Sequence, residues 1–523
     1  VTHYFFPAER NPVVEVVPGR DTAAAVTAWA LRFYEAIGKI PIRVGSRYGY
    51  AIDPIFEGLF QAASLCVEEG LGTVKQVDFV ATKALGLGVG PFTAMNLTGG
   101  NPITRVGLDH YHEALHPWYR APKLLLDQLA KGEPWDGAKR GERPEVAPDA
   151  GQKITERLQG AYFGLVTEIL QSGISSVADL DMAVETALVI RPPFRMMNNI
   201  GLARALELVR AYSADHDAFP VPDVLAARAE AGRPWEIPVV LRRDEDGIAV
   251  LTIRRPRVLN ALNQDVFAQL DRHFAELRED DSIRGVVVTG FGTKAFVSGA
   301  DVQMLAAIDS PARGEETSLR SQRVLDRIEA MPKPVVCACN GMAFGGGNEL
   351  ALACHERVAR KGLQVLAAQP EPNLGIIPGA GATQRLPRVV GFRQAWEMLR
   401  TGRTVSGAEA KEMGLIREEV EGDVVAAAVE RARDLAARGF QRIPRDAIDV
   451  PPDLPEVELG HLSRAVDAVM KKAILEGARL PLAQGLRLEA KCFGEVCALE
   501  DMRIGVESFL KNGPRAKAEF VHR

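Results

Sequence analysis

Two glutamates and a glycine triplet mark where this sequence could do chemistry. Gly345, Gly346 and Gly347 follow a short apolar run and open a segment that reads as a helix, with Glu349 in its first turn. Lacking a β-carbon, such glycines let backbone N–H groups approach a substrate oxygen closely where the helix begins, which suits an oxyanion. Glu371 follows 22 positions later (371 − 349), between Pro370 and Pro372. Two carboxylates converging on one pocket would supply a general acid and a general base. Taken singly, three glycines more often make a tight turn, and a glutamate at a helix start more often serves the helix dipole.

The surrounding elements must bring these parts together. Pro370 and Pro372 disfavour helix, so Glu371 is expected on a loop. A second glycine site, Ser298-Gly299-Ala300-Asp301, follows a β-type run, and Pro378-Gly379-Ala380-Gly381 follows Glu371. From Val239 onward strands alternate with helices, with strands predicted over 247–253, 284–289 and 335–339. Asn263 reads as the N-cap of a helix carrying Val266, Phe267, Leu270, Phe274 and Leu277 on one face, and the tail reads as helices over 461–477 and 486–510.

This combination resembles the crotonase superfamily, and the enoyl-CoA hydratases within it. The resemblance implies that backbone N–H groups of Ala300 and Gly346 hold a thioester carbonyl, that Glu349 and Glu371 form the acid/base pair, and that Ser298, Gly299, Asp301, Gly345, Gly379 and Arg257 line the substrate. It implies an acyl-CoA substrate, water as co-substrate, and neither cofactor nor metal for this half. Arg254, Arg255 and Arg257 could pair CoA phosphates or be merely solvated. The sequence departs from the family pattern at Asn348, where cysteine is common, at His355, where aspartate is frequent, and by about two extra residues between the glutamates. An isomerase, a hydrolase or a cyclic dienoyl-CoA hydratase stays open, since the sequence does not fix the acyl pocket.

The front of the chain carries a different pattern. Residues 1–19 read as strand, turn and strand, 22–37 as a helix closed by Gly38, and 40–44 as extended. His3 and Glu15, within H-x-F-x-P-x5-VVEVV, resemble the catalytic histidine and its orienting glutamate in 3-hydroxyacyl-CoA dehydrogenases. The resemblance implies that His3 takes the 3-hydroxyl proton while Glu15 holds the imidazole's tautomer. The following family motif is Tyr48-Gly49-Tyr50-Ala51-Ile52-Asp53-Pro54 here, with Asp53 for asparagine and Pro54 for arginine. No G-x-G-x-x-G dinucleotide turn precedes His3, and Gly86-Leu87-Gly88-Val89-Gly90 reads as a helix terminus. The expectation is a missing upstream Rossmann domain, with NAD bound only where that domain is present.

Residues 60–99 recur in pattern over 161–201, with Asp78 matched by Asp181, Pro91-Phe92 by Pro193-Phe194, and Trp135 by Trp235. A duplication is the economical reading, and it resembles the doubled helical domain of multifunctional hydroxyacyl-CoA dehydrogenases, a packing and dimer module. Polar stretches 131–153 and 215–238 read as linkers. His110, His112 and His116 raise a metal reading that lacks cysteine partners, and a solvated segment is preferred.

Length and composition frame the whole. The 523 residues, 47% hydrophobic and 25% charged, suit several ordinary globular cores. A net charge of −5 gives no basic footprint for nucleic acid, no apolar run reaches a membrane-spanning length, and six cysteines without metal spacing read as reduced thiols. The expectation is a cytoplasmic homo-oligomer of α+β and α/β domains: 1–44, the end of a Rossmann NAD-binding domain; 45–137 and 152–236, two copies of an all-α dehydrogenase-type domain; and 239–523, a crotonase ββα superhelix with a helical part from about 424.

Overall fold

The computed structural model describes residues 1–98, 101–139 and 141–523, which form two compact units, Val1–Pro238 and Val239–Arg523. Gly99, the last residue of the first sequence repeat, lies outside the described residues. Among the described residues no helix is long and apolar enough to cross a membrane.

The first unit opens with a three-stranded sheet. Thr2–Tyr4 runs antiparallel to Val13–Val16, which pairs in parallel with Ile40–Arg43. The crossover between the parallel strands is the helix Ala24–Ala36, a residue or two shorter at each end than the periodicity predicts. Helices follow in two matched sets. In the first, the Asp78 carboxylate accepts from Phe92 N–H at 2.8 Å, and Asn96 bonds the Trp135 backbone at both its amide and carbonyl. In the second, Asp181 accepts from Phe194 N–H at 2.9 Å, and Asn198 bonds Trp235 in the same two ways. Each aspartate caps a helix that starts with proline, Pro91–Leu97 or Pro193–Ile200, where the first residue has no N–H and the next needs an acceptor.

Both stretches read as linkers also contain helix. The helix Pro148–Gln171 begins inside the first, and Asp223–Glu230 lies inside the second. Trp135 and Trp235, each 5% exposed or less, pack on Phe92 and Phe194 at 4.8 and 5.1 Å between ring centroids. The polar composition that suggested a linker surrounds one buried anchor per set. Of the three histidines, His110 and His112 are exposed, while both ring nitrogens of His116 are buried and burial pushes its pKa down to about 4.

The second unit is built from two sheets. The larger has six strands in the order Glu418–Val420, Glu356–Arg360, Val335–Cys339, Gly285–Gly290, Ile248–Ile253 and Val240–Glu245, parallel except for the last pair. Its central strands, VVVTG and VVCAC among them, are buried on both faces, hence their unbroken apolar runs. The smaller sheet has three short parallel strands, Ala367–Ala368, Met342–Phe344 and Ala295–Val297. Three times a strand of the large sheet is followed by a turn and a strand of the small one, which is the expected ββα winding. Asn263 caps the helix Gln264–Glu279 by accepting from Val266 N–H, and Val266, Leu270, Phe274 and Leu277 are buried beneath it.

The tail differs from expectation in one place. The helix predicted over 486–510 is two helices, Leu482–Val496 and Glu500–Asn512. Glu500 and Asp501 favour a new N-terminus, and the Asp501 carboxylate is fixed there by Ser463 Oγ and Val521 N–H.

Candidate active site

The small sheet assembles the site. Its three strands are parallel, so their C-terminal ends lie at one edge, about 4.8 Å apart from strand to strand. Ala295–Val297 leads into Ser298-Gly299-Ala300, Met342–Phe344 into Gly345-Gly346, and Ala367–Ala368 into Gln369-Pro370-Glu371. With Met342–Phe344 in the middle, the two glycine sites and Glu371 become neighbours although 71 residues (371 − 300) separate their ends.

The backbone at this edge has free donors. Ala300 forms a parallel bridge with Leu262 in which Leu262 N–H donates to Gly299 O and Asp301 N–H donates to Leu262 O, both at 2.8 Å. The N–H of Ala300 itself therefore faces away from Leu262. Gly346 is the first residue of the helix Gly346–Ala353, where an N–H has no intrahelical acceptor. Among the described residues neither amide has a backbone acceptor. They are close together: a β-carbon on Gly346 would sit 3.5 Å from Ala300 N. Gly345 has φ +49°, a left-handed conformation that favours glycine, and a β-carbon there would come within 2.6 Å of Glu371 Oε1.

Both glutamates are buried, with opposite surroundings. Glu349 Oε1 accepts from Ala380 N–H at 2.7 Å and Ala382 N–H at 2.9 Å, the latter opening the helix Ala382–Val390. Burial raises its pKa, while those amides and the charge of Arg385 favour its ionised form. Glu371 Oε2 is buried with no hydrogen-bond partner among the described residues. Burial, then the charge of Glu349, holds Glu371 well above the usual carboxylate range. The two carboxyls thus have unequal surroundings, with backbone N–H donors on Glu349 and none on Glu371 Oε2 among the described residues. Prolines do not keep Glu371 out of helix altogether: Glu371–Leu374 is a single 3-10 turn, whose first positions tolerate proline.

The other sequence-derived site residues are placed unevenly. Ser298 and Gly299 shape the turn that presents Ala300, with Ser298 Oγ donating to Val258 O. The Asp301 carboxylate is already engaged, capping the helix Val302–Ala306 and pairing with Arg255 at 2.9 Å, so both side chains hold this turn. Arg257 is exposed on the 3-10 turn Pro256–Val258, while Arg254 lies over the Phe291 ring. Gly379 backs onto Phe493, whose Cδ2 would be 2.8 Å from a β-carbon there.

Sequence reasoning missed the frame behind the glutamates. Arg385, fully buried, donates through Nη1 to Ala380 O and through Nε to Glu329, both at 2.9 Å. Glu489, also fully buried, accepts from Thr383 N–H at 2.9 Å, Thr383 Oγ at 2.6 Å and Gln322 Nε2 at 3.0 Å. Ser318, Gln322, Asp326 and Glu329 recur at i, i+4, i+8 and i+11 on the helix Pro311–Glu329, and this polar stripe faces the loop that carries Ala380 and Ala382.

In the first unit, His3 and Glu15 do meet. His3 Nδ1 lies 2.7 Å from Glu15 Oε2, and Glu15 Oε1 accepts from the Ala51 and Ile52 amides. The other ring nitrogen, Nε2, lies 3.3 Å from Asp53 Oδ2. With a carboxylate on each nitrogen both must donate, which is the imidazolium form. Burial lowers the His3 pKa, but Asp53 and Glu15 outweigh it and raise the value to about 10. Its stabilising contribution is therefore whole below about 6.5 and lost as pH rises through about 10. In NMR titrations the His3 ring should remain protonated at pH 7, and Asp53→Asn should return its midpoint toward the ordinary range; a wild-type midpoint near 6.5 would contradict this geometry.

Comparison with known proteins agrees with the second unit. A family model described as enoyl-CoA hydratase/isomerase matches residues 243–445. The short-chain-enoyl-CoA hydratase of Clostridium acetobutylicum is 31% identical over 276 residues, 53% of this chain and 96% of that protein. A probable enoyl-CoA hydratase of Bacillus subtilis is 34% identical over 273 residues, 52% of this chain and 96% of that protein. The chain belongs to the enoyl-CoA hydratase/isomerase family. Ahead of this hydratase/isomerase domain, the 3-hydroxyacyl-CoA dehydrogenase NAD binding domain model matches residues 1–47 and the C-terminal domain model residues 49–142. The fatty acid oxidation complex subunit alpha of Shewanella frigidimarina is 39% identical over 202 residues, 38% of this chain but only 28% of that protein. The chain therefore joins a hydratase/isomerase domain to dehydrogenase domains.

Two departures from the enoyl-CoA hydratase pattern have visible settings. His355 Nδ1 accepts from Val335 N–H at 2.9 Å, which leaves Nε2 to donate to Glu329 O at 3.0 Å. Burial pushes this histidine down to about 4, so it stays neutral and helps fix the residue that holds Arg385. Asn348, beside Glu349, is buried with Nδ2 unpartnered among the described residues, as are both amide atoms of Gln369.

Proposed function

We propose that the second unit adds water across the double bond of a 2-enoyl-CoA to give a 3-hydroxyacyl-CoA. The observation that supports this reading is the shared edge of the small sheet, with two amides that lack a backbone acceptor among the described residues and two buried glutamates, one held by backbone N–H donors and one with an unpartnered oxygen. The thioester oxygen accepts from Ala300 N–H and Gly346 N–H, which stabilise the charge that develops as the enolate forms; each such donor contributes about 3 kcal/mol. Glu349, an anion, accepts a proton from water as the water oxygen bonds to C3. Glu371 gives its proton to C2 from the same face, so addition is syn. The proton left on Glu349 returns to Glu371 before the next turnover. Gly379, Gly345 and the turn from Ser298 to Asp301 shape the acyl and thioester path, and Arg257 is placed to meet a CoA phosphate.

The first unit is read as an assembly module: 1–44 as the end of a Rossmann domain, 45–137 and 152–236 as two copies of one helical domain. Its described residues contain no glycine turn of the dinucleotide kind between strand and helix, so no step through NAD is derived for it. Its exposed stripe of Val26, Trp29, Phe33 and Ile37 suits a protein partner, and self-association through this unit is part of the proposal. The free, mostly buried cysteines fit a cytoplasmic setting.

The test is product identity. Incubated with crotonyl-CoA, the full chain should remove the conjugated absorbance and yield 3-hydroxybutyryl-CoA with its thioester intact. A shifted double bond, or free CoA without hydration, would place the chain among the isomerases or hydrolases instead.

A further inference from the structure

A second concavity of the hydratase/isomerase domain lies away from the proposed site. His355, Lys411, Arg417, Arg431, Arg438 and Phe440 are among the residues that line an open cleft of about 820 Å³, a size that suits a small-molecule site. The helix Gly346–Ala353 connects the two places: it starts at the Gly346 amide, rises about 12 Å, and hands the chain to His355 and the strand Glu356–Arg360. No residue assigned to hydration lines the cleft.

The cleft is basic. Its lining holds five cations, Arg357, Lys411, Arg417, Arg431 and Arg438, against one carboxylate, Glu356. With Asp434 and Glu418, which also act on Arg431, the excess is still two (5 − 3). Basic side chains often serve only the carbonyls and dipoles of helix C-termini, and three helices, Gly346–Ala353, Gly407–Glu412 and Val424–Arg438, end here. Arg357 is buried in that role, donating to Cys354 O at 2.8 Å and Leu415 O at 2.6 Å. Arg431 is held by Glu356 and Asp434, each at 2.7 Å, and Arg438 by Asp434 at 2.7 Å. Lys411 and Arg417 differ: both are exposed, and neither side chain has a hydrogen-bond or ion-pair partner among the described residues.

Phe440 adds an apolar plane. Its half-buried ring packs on the His355 ring at 4.2 Å between centroids, and His355 is itself tied to Val335 N–H and Glu329 O, so the platform is fixed. We propose that this cleft binds a phosphate-bearing ligand with a flat ring, a free nucleoside diphosphate: Lys411 and Arg417 hold the phosphate oxygens and Phe440 takes the base. The Arg417 fork matches two phosphate oxygens, and Lys411 acts as a point charge. A phosphate group alone fills only a small part of the cleft. An aromatic face accepts any base by stacking, so the cleft selects a class of ligand rather than one nucleotide. Because it lies away from the glutamates, nucleotide and acyl-CoA bind together.

The probe is ADP. Equilibrium dialysis of labelled ADP against the full chain should show one site, which saturating crotonyl-CoA leaves occupied. Lys411→Gln/Arg417→Gln should weaken ADP by about tenfold or more, the size expected when two charge-assisted contacts are lost, with the rate of crotonyl-CoA hydration unchanged. Arg257→Gln should leave ADP binding as it is. Pyrophosphate, which has the charge but no ring, should bind more weakly than ADP, and Phe440→Leu should bring ADP down to the level of pyrophosphate. The double variant replaces only exposed side chains, so it decides alone should Phe440→Leu fail to fold. No ADP bound, ADP held at wild-type strength by the double variant, ADP displaced by crotonyl-CoA, or pyrophosphate bound as tightly as ADP would each overturn the proposal.

Discussion

Glu371→Gln is expected to lower kcat for hydration by about 10²- to 10⁴-fold while KM changes little. Glutamine fills the same space beside Gly345 but has no acidic proton for C2, so the loss belongs to the chemical step. Exchange of solvent deuterium into C2 of product should fail in parallel. Glu349→Gln should also be slow, for a different reason. Its side-chain oxygen can still accept from the Ala380 and Ala382 amides, so the loop stays in place while the anion that activates water is gone. A Glu371→Gln variant with unimpaired turnover would show that C2 is protonated by another group.

The largest effect on stability is expected at Arg385. Arg385→Leu leaves Glu329, whose side chain is 5% exposed, with only the exposed Arg445 at 3.8 Å, and leaves Ala380 O without its donor. Breaking a buried pair by removing one partner costs about 3–5 kcal/mol. Asp326, half-exposed, adds little to that figure. Arg393→Leu is the control, because Arg393 and Asp453 form an exposed pair worth about 0–1 kcal/mol. Denaturant unfolding of the two variants should separate them clearly; equal losses would mean that the buried network behind the glutamates is not what holds the second unit together.

Much of this site was readable before the fold was known, and the reason is local. Glycines needed for close backbone approach, and acids beside a helix start and between prolines, leave their mark in a few consecutive residues. What places them side by side does not. The small-sheet strands AFV, MAF and AA are two or three residues long, too short for any periodicity, and they pair only through tertiary structure. Arg385 and Glu489 look like ordinary surface charges on amphipathic helices. Only the spacing of Ser318, Gln322, Asp326 and Glu329 could have hinted otherwise, and such a stripe normally reads as a solvated face. The linker reading of 131–153 and 215–238 overlooks the helices Pro148–Gln171 and Asp223–Glu230 for a related reason, since one buried tryptophan can anchor a polar segment that composition assigns to solvent. Asp53 departs from the family motif in sequence, but only the fold brings it within 3.3 Å of His3 Nε2.

The central claim is that Glu349 and Glu371 serve one step on one thioester. It is tested most directly by kcat of the Glu349→Gln/Glu371→Gln double variant beside the two single variants. Groups acting as a unit are strongly non-additive, so the double variant should fall within about tenfold of the slower single one. If the two losses multiply, the glutamates act independently and the paired acid/base account is contradicted.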